Sequence, residues 1–343
     1  MKVTKFLKSA VALAVGGMVA TGAAQAADKV TVASLTFVSS SPLFIAYENG
    51  YFKDQDIDVE FKFFNAAQPV AVAVTAGDAD FGVTAFTGGF FNLAGKGALK
   101  VVASQFFEKK GYDGSAILAS NDAFAKGFDA PEKFPNHSYA MSQVGSSFHF
   151  MLGQVAQKAG FTLKDVSLKP LQKVPNMIAA LKTNQVDSMI IVPHIAKPLA
   201  GAGAANIIGW VADYAEYQGG ALFTSTDNAA EKSDVVQRFV KAYQKGVADY
   251  SEAFLKRDAE GKPVYGAKTD ETLKIVHKYV YKDRPAEKAY VSIKNGALYF
   301  DPQARLDVDS IKSQLKWFQD NKLVDAKVSI DDFVDPRFVP SMN

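Results

Sequence analysis

Four short segments gather hydroxyls, glycines and aromatic rings where an extended run gives way to a helical one. Ser39-Ser40-Ser41-Pro42 comes directly after the first apolar run, with Phe37 just ahead of it. Pro42 suits a first helical position and Ser41 an N-cap. Thr84-Ala85-Phe86-Thr87-Gly88-Gly89-Phe90-Phe91 offers the hydroxyls of Thr84 and Thr87, two glycines that let a ligand approach the backbone, and the rings of Phe86 and Phe90. Gln143-Val144-Gly145-Ser146-Ser147-Phe148-His149 reads as strand, glycine turn, paired serines and helix. A fourth turn, Val192-Pro193-His194, could present His194 in the same way. The chemistry these residues suit is capture of an anion. The first N–H groups of a helix lack intrahelical partners and sit at its positive dipole end, which fits carboxylate, sulfonate or phosphate. Ser146 and Ser147 form the strongest clamp, although no lysine follows as in a phosphate loop. The phenylalanines have a second use, since Phe90, Phe91 and Phe148 could equally fill cores.

Catalytic chemistry has little support. Gly-x-Ser-x-Gly, Walker A and His-Glu-x-x-His patterns are all absent. The four histidines, His137, His149, His194 and His277, have no metal-ligand spacing, and there is no cysteine. We therefore expect no catalytic residues, no metal and no cofactor.

The turns need elements to hold them. Strands are expected at 30–35, 59–64, 80–84 and 100–106, with helices at 42–49, 69–75 and 88–94 between them. A second series places strands at 138–141, 166–171, 188–192 and 207–210, with helices at 147–159, 175–183 and 194–199. Such alternation points to parallel βα units, in which ligands bind beyond the carboxyl ends of the strands. Ala76-Gly77-Asp78-Ala79-Asp80-Phe81 and Thr183-Asn184-Gln185-Val186-Asp187-Ser188 are alike: helix end, left-handed cap residue, aspartate, strand. After a strand at 221–225 the chain turns helical, at 233–255, 271–281, 286–295 and 308–321. Two lobes are expected: 27–113 with 222–343, and 114–221. The crossings fall at 107–120 and 214–225, with the helical tail packed on the first lobe.

The ends and the composition set the compartment. Lys2, Lys5 and Lys8, an apolar run over 11–19 and Ala24-Gln25-Ala26 have the form of a secretory signal peptide over 1–26. Its apolar run is shorter than the about 20 residues that span a bilayer. With no cysteine for a lipid anchor, the expected location is the periplasm. Residues 1–26 hold three lysines and no acid, so the rest of the chain is close to neutral and gives no reason to invoke nucleic acid. At 343 residues the chain exceeds what one core usually supports.

The chain resembles the substrate-binding proteins of nitrate, taurine and alkanesulfonate ABC importers and their thiamine-precursor-binding relatives. The resemblance is carried, in order, by Pro42-Leu43-Phe44-Ile45-Ala46-Tyr47-Glu48-Asn49-Gly50-Tyr51-Phe52, Ala76-Gly77-Asp78-Ala79-Asp80-Phe81-Gly82, Gly145-Ser146-Ser147 and Val186-Asp187-Ser188, and covers roughly 28–250. It implies a two-lobed type II periplasmic-binding fold, each lobe a mostly parallel sheet flanked by helices, closing on a small-molecule ligand. Partners would be the membrane subunits of an ABC importer, with the protein itself a monomer. Two departures matter. Ile191-Val192-Pro193-His194 stands where the family often has an aromatic or acidic residue before a proline, and the stretch around Phe86 is rich in rings. The enzymatic relatives in thiamine synthesis use cysteine and metal, and this chain has no cysteine. The expected ligand is a small organic anion, an aromatic carboxylate before taurine, alkanesulfonate, nitrate or a thiamine-precursor pyrimidine. A secreted enzyme or a sensing subunit on the same fold is the alternative of another class.

Overall fold

The structure is a computed structural model that describes residues 26–342. The expected signal peptide lies outside the described residues, apart from Ala26.

In the first part of the chain, β1 (Asp28–Ser34), α1 (Ser41–Glu48), β2 (Ile57–Phe63), α2 (Ala67–Thr75), β3 (Phe81–Ala85), α3 (Gly88–Ala94) and β4 (Leu99–Ser104) alternate as expected. A short β5 (Phe106–Glu108) leads on to β6 (Ala116–Ala119), α4 (Asn121–Ala125), β7 (Ser138–Met141), α5 (Ser147–Ala159) and β8 (Ser167–Pro170). Then come α6 (Val174–Lys182), β9 (Ser188–Ile191), α7 (Pro193–Gly201) and β10 (Asn206–Trp210). The chain returns through β11 (Tyr217–Gln218) to β12 (Gly220–Ser225) and ends with α8 (Thr226–Glu231), α9 (Ser233–Phe254), α10 (Ala267–His277), α11 (Ala286–Lys294), β13 (Tyr299–Phe300) and α12 (Val308–Asp320).

Two five-stranded sheets result, ordered β2-β1-β3-β12-β4 and β10-β6-β9-β7-β8. In each, four strands share one direction and one strand opposes them: β12 between β3 and β4, and β6 between β10 and β9. The opposed strands are the two that enter their sheet straight from a crossing. β5 and β11 pair antiparallel within those crossings, and β13 adds to β5. β12 starts at Gly220, two residues before the expected boundary at 222. β6 lies within the segment expected to be a crossing. Its four residues, Ala-Ile-Leu-Ala, are all buried and show no alternation, so no period marked them as a strand.

The two similar sequence stretches do the same work in the two sheets. Gly77 and Asn184 are both left-handed, with φ of 77° and 56°, as helix-terminating residues are. Asp80 accepts the Thr31 N–H at 2.9 Å, and Asp187 accepts the Ser138 N–H at 2.8 Å. Each aspartate, just ahead of its own strand, thus ties it to the strand beside it, across a separation of 49 residues in both sheets.

The helical tail reaches further than the first sheet. In α9, Val236, Phe239, Val240, Tyr243, Val247, Tyr250 and Phe254 recur at helical spacing and are buried. Phe239 stacks on Phe81 of β3 with centroids 3.9 Å apart. Tyr279, just after α10, stacks on Phe44 of α1 at 4.3 Å. Aromatic pairs of this kind contribute about 0.5–1.5 kcal/mol beyond their buried area. α10 ends four residues earlier than expected, and beyond it Tyr281 takes a left-handed φ of 62°. α12 then sets Phe318 against Phe91 of α3 and against Phe150 of α5, so it touches both halves.

Candidate functional site

Between the two sheets lies a cavity whose empty space, together with what is open to solvent, is about 530 Å³. One wall comes from segments that leave the carboxyl ends of β1 to β4: Leu35, Phe37, Ser39 and Ser40, then Ala66 and Ala67, Thr84 and Ala85, and Gln105 and Phe106. The other comes from Ser142 after β7, Ser147, Phe148 and Met151 of α5, Val174 of α6 and Val192 after β9. Both sheets therefore aim their strand ends at one space, as parallel α/β sheets do at ligand sites. Direct contacts close it at the rim. The Gly88 N–H donates to the Gly145 carbonyl at 2.8 Å, and the Tyr281 hydroxyl donates to the His194 carbonyl at 2.7 Å.

Four helices begin at the wall, contributing Ser40 at α1, Ala66 and Ala67 at α2, Ser147 at α5 and Val174 at α6. The first turns of α1, α2 and α6 carry no side-chain cap. Their dipole ends give the space a positive potential without a cation, although the Ser41 and Val174 N–H groups already donate to the Val38 and Asn65 carbonyls and Pro42, Pro69 and Pro175 have no N–H. None of the lining residues is charged. The hydroxyls of Ser39, Thr84, Ser142 and Ser147 hydrogen-bond to no other protein group among the described residues, which leaves them to a ligand.

Of the residues singled out in the sequence, Phe37, Ser39, Ser40, Thr84, Ser147 and Phe148 line the cavity. The Ser40 hydroxyl already accepts from that of Ser34 at 2.9 Å. The others lie outside the wall. Ser41 is fully buried behind it. Phe86 stacks on Phe91 and Phe90 packs edge-on to Phe223, so both belong to the core of the first half. Thr87 caps α3, accepting the Phe90 N–H at 2.9 Å and donating to Gln68 at 2.7 Å. Ser146 caps α5, accepting the His149 N–H at 3.3 Å. His149 turns back on its own turn: its Nδ1 accepts the Gly145 N–H at 3.1 Å, its ring meets Trp317, and burial lowers its pKa. His194 is buried beside Phe37.

The paired serines thus divide their work, Ser146 shaping the helix and Ser147 facing the cavity. Ser146→Ala is expected to lower stability by about 1 kcal/mol, the ordinary value of an N-cap, with ligand affinity little altered. Urea unfolding and a binding titration on the same variant check both halves of that expectation.

Sequence reasoning passed over Gln105, Phe106, Ser142, Met151 and the small residues Ala66, Ala67 and Ala85. Gln105 donates from Nε2 to the Ser39 carbonyl at 2.9 Å and so braces the first wall. Its position at the end of the fourth strand was the available signal. Ala67 and Val174 reach the wall through backbone placement, which residue type does not reveal.

The fold is shared with known structures. This chain is similar to the alkanesulfonate-binding protein SsuA from Xanthomonas axonopodis pv. citri bound to MOPS: TM-score 0.71, 17% identity, covering 91% of this chain and 99% of that one. It is similar to the periplasmic nitrate-binding protein NrtA from Synechocystis PCC 6803, with TM-score 0.65, 16% identity and coverage of 91% and 87%. It is also similar to the desulfurization enzyme DSZB, with TM-score 0.63, 14% identity and coverage of 91% and 97%. At these identities the likeness establishes the two-lobed periplasmic-binding fold. No curated protein matches the sequence. The sequence itself matches the NMT1/THI5-like family model over residues 38–253, more than half of its length, and the chain belongs to that family.

Proposed function

We propose that this protein is a periplasmic solute-binding protein that captures a small organic anion and delivers it to the membrane subunits of an ABC importer. The observation that carries this reading is the wall of the cavity: free hydroxyls and the positive dipole ends of helices, no charged side chain, and rings between them. An anion is held there by neutral donors. Such a site binds without a desolvated counter-ion, whose burial would cost several kcal/mol. The wall holds no histidine, carboxylate or lysine to activate its serines, which favours binding over catalysis.

The ligand class we infer is an aromatic carboxylate. Phe37, Phe106 and Phe148 lie in the wall beside the hydroxyls of Ser39, Thr84 and Ser147. A benzene-sized ring gains contact with all three, whereas nitrate would leave them facing a hydrated ion. The two lobes, 27–113 with 222–343 and 114–221, would close about the crossings that carry β5 and β11. A thermal-shift screen of benzoate- and phthalate-type acids beside taurine, nitrate and a pyrimidine tests the class. Stabilisation by the aromatic acids is expected, about 2.7 kcal/mol at 100 times the dissociation constant. Stabilisation by taurine or nitrate alone would contradict it.

A further inference from the structure

Opposite the crossings, three parts of the chain meet at one histidine. His194 lies in the first turn of α7, in the second half of the molecule, and is 1% exposed. Phe37, from the first half, meets its ring edge-on at 5.2 Å. Tyr281, after α10, meets it edge-on at 6.0 Å and donates its hydroxyl to the His194 carbonyl at 2.7 Å. Gly296, after α11, packs against the His194 backbone so closely that a Cβ there would fall 2.2 Å from the His194 Cβ. The Nδ1 of His194 has no partner among the described residues. Phe37, Tyr281 and Gly296 all belong to the first half and the tail, so parting the two halves would strip these contacts from the imidazole.

From this geometry we infer that His194, Phe37 and Tyr281 form a latch across the mouth of the cleft, which holds only while the imidazole is neutral. The proposal rests on the lobe closure put forward above. Phe37 has two roles: it lines the cavity and it leans on His194, so a ligand seated against Phe37 braces the latch.

The charged surroundings fix the sign. Burial, and then the Arg284 guanidinium, which stacks over Tyr281 at 4.0 Å, lower the His194 pKa to about 3. Along α7, Lys197 is engaged with Asp113 at 2.5 Å. Phe37 and Gly296 bring no titratable group, and no carboxylate hydrogen-bonds to the ring among the described residues. Opening would wet the ring and remove the burial that lowers its pKa from the ordinary value of 6.5. The open form therefore takes up the proton first as the pH falls below 6.5, and acid favours opening. Between pH 8 and pH 5 the open-to-closed ratio should rise about thirtyfold.

The chain has no native cysteine, so two introduced ones can be labelled cleanly. Gly201 and Val291 stand on either side of the groove between α7 and α11, and Val291 is 54% exposed. Spin labels at Gly201→Cys and Val291→Cys would report the distance across the mouth in ligand-free protein. We expect a short distance at pH 8 and a longer one gaining about thirtyfold at pH 5. His194→Phe keeps an aromatic edge without a proton site, and His194→Gln keeps polarity; both should remove the pH dependence. Tyr281→Phe should raise the longer distance at every pH. Two distances whose ratio ignores both pH and His194 would overturn the latch and leave closure standing. A single short distance at every pH, in wild type and Tyr281→Phe alike, would overturn closure with it.

Discussion

Replacing Ser147 by alanine and Thr84 by valine together should weaken binding of an aromatic carboxylate at least a hundredfold. The two hydroxyls stand on opposite walls of the cavity, and neither is engaged within the protein. A hydrogen bond to a charged group contributes about 1.5–3 kcal/mol. Losing two such bonds removes roughly 3–6 kcal/mol, and 1.4 kcal/mol is a factor of ten. Valine keeps the shape of threonine, and Ser147 is not the cap of its helix, so the fold should survive. Calorimetric titration of each single variant and of the pair gives the size. Affinity within threefold of wild type in the pair, with the fold intact, would remove the hydroxyls from the site.

A second large effect concerns stability, at Glu108. This residue lies in β5, within a crossing, and is 1% exposed. The Ser115 N–H donates to both its carboxylate oxygens, at 3.1 and 2.9 Å, but no cation pairs with it among the described residues. Burial pushes its pKa up to about 7, from an ordinary value of 4.5, against the pull of the Ser115 hydrogen bonds. Below 4.5 the folded and unfolded chains both hold the proton, and the contribution to stability is fully present. As pH rises towards 7 the unfolded chain gives its proton up first, and the contribution is lost as pH passes through the folded value. The difference between pH 5 and pH 8 should be about 2–3 kcal/mol. His194, buried neutral, acts in the opposite sense below 6.5, so the wild-type profile alone does not isolate Glu108. The comparison with Glu108→Gln separates the two. Glutamine still accepts from Ser115 and does not titrate. Urea unfolding should show that variant gaining about 2–3 kcal/mol relative to wild type on going from pH 5 to pH 8. Parallel profiles would show that Glu108 is ionised in the folded protein.

The fold was legible because its βα units carry local signals. Alternating apolar runs, the aspartates at 80 and 187 and the left-handed residues at 77 and 184 each point to their element without reference to the rest. The short β6 and the turn at Tyr281 were not legible, since their conformation follows from what packs on them. The site was legible in part for the same reason. A serine between a strand and a helix declares a cap or a ligand contact, and only the geometry of α5 decides that Ser146 is the first and Ser147 the second. Phenylalanine gives still less away. Phe86 and Phe90 were read as facing the cavity, yet the first half of the molecule needs them for its core, where they pack against Phe91 and Phe223. Phe106, at the very end of the first series, took a place in the wall that no local pattern marked.

If the ligand binds in the space between the two sheets, filling that space should abolish binding. Ala67 lies in its wall at the first turn of α2, and a tryptophan there would fill the space from one side. Calorimetric titration of a benzoate-type acid into wild type and into Ala67→Trp gives the answer. One site per chain is expected in wild type, with no measurable binding to a folded Ala67→Trp protein. Equal binding to both would contradict that expectation and place the ligand elsewhere.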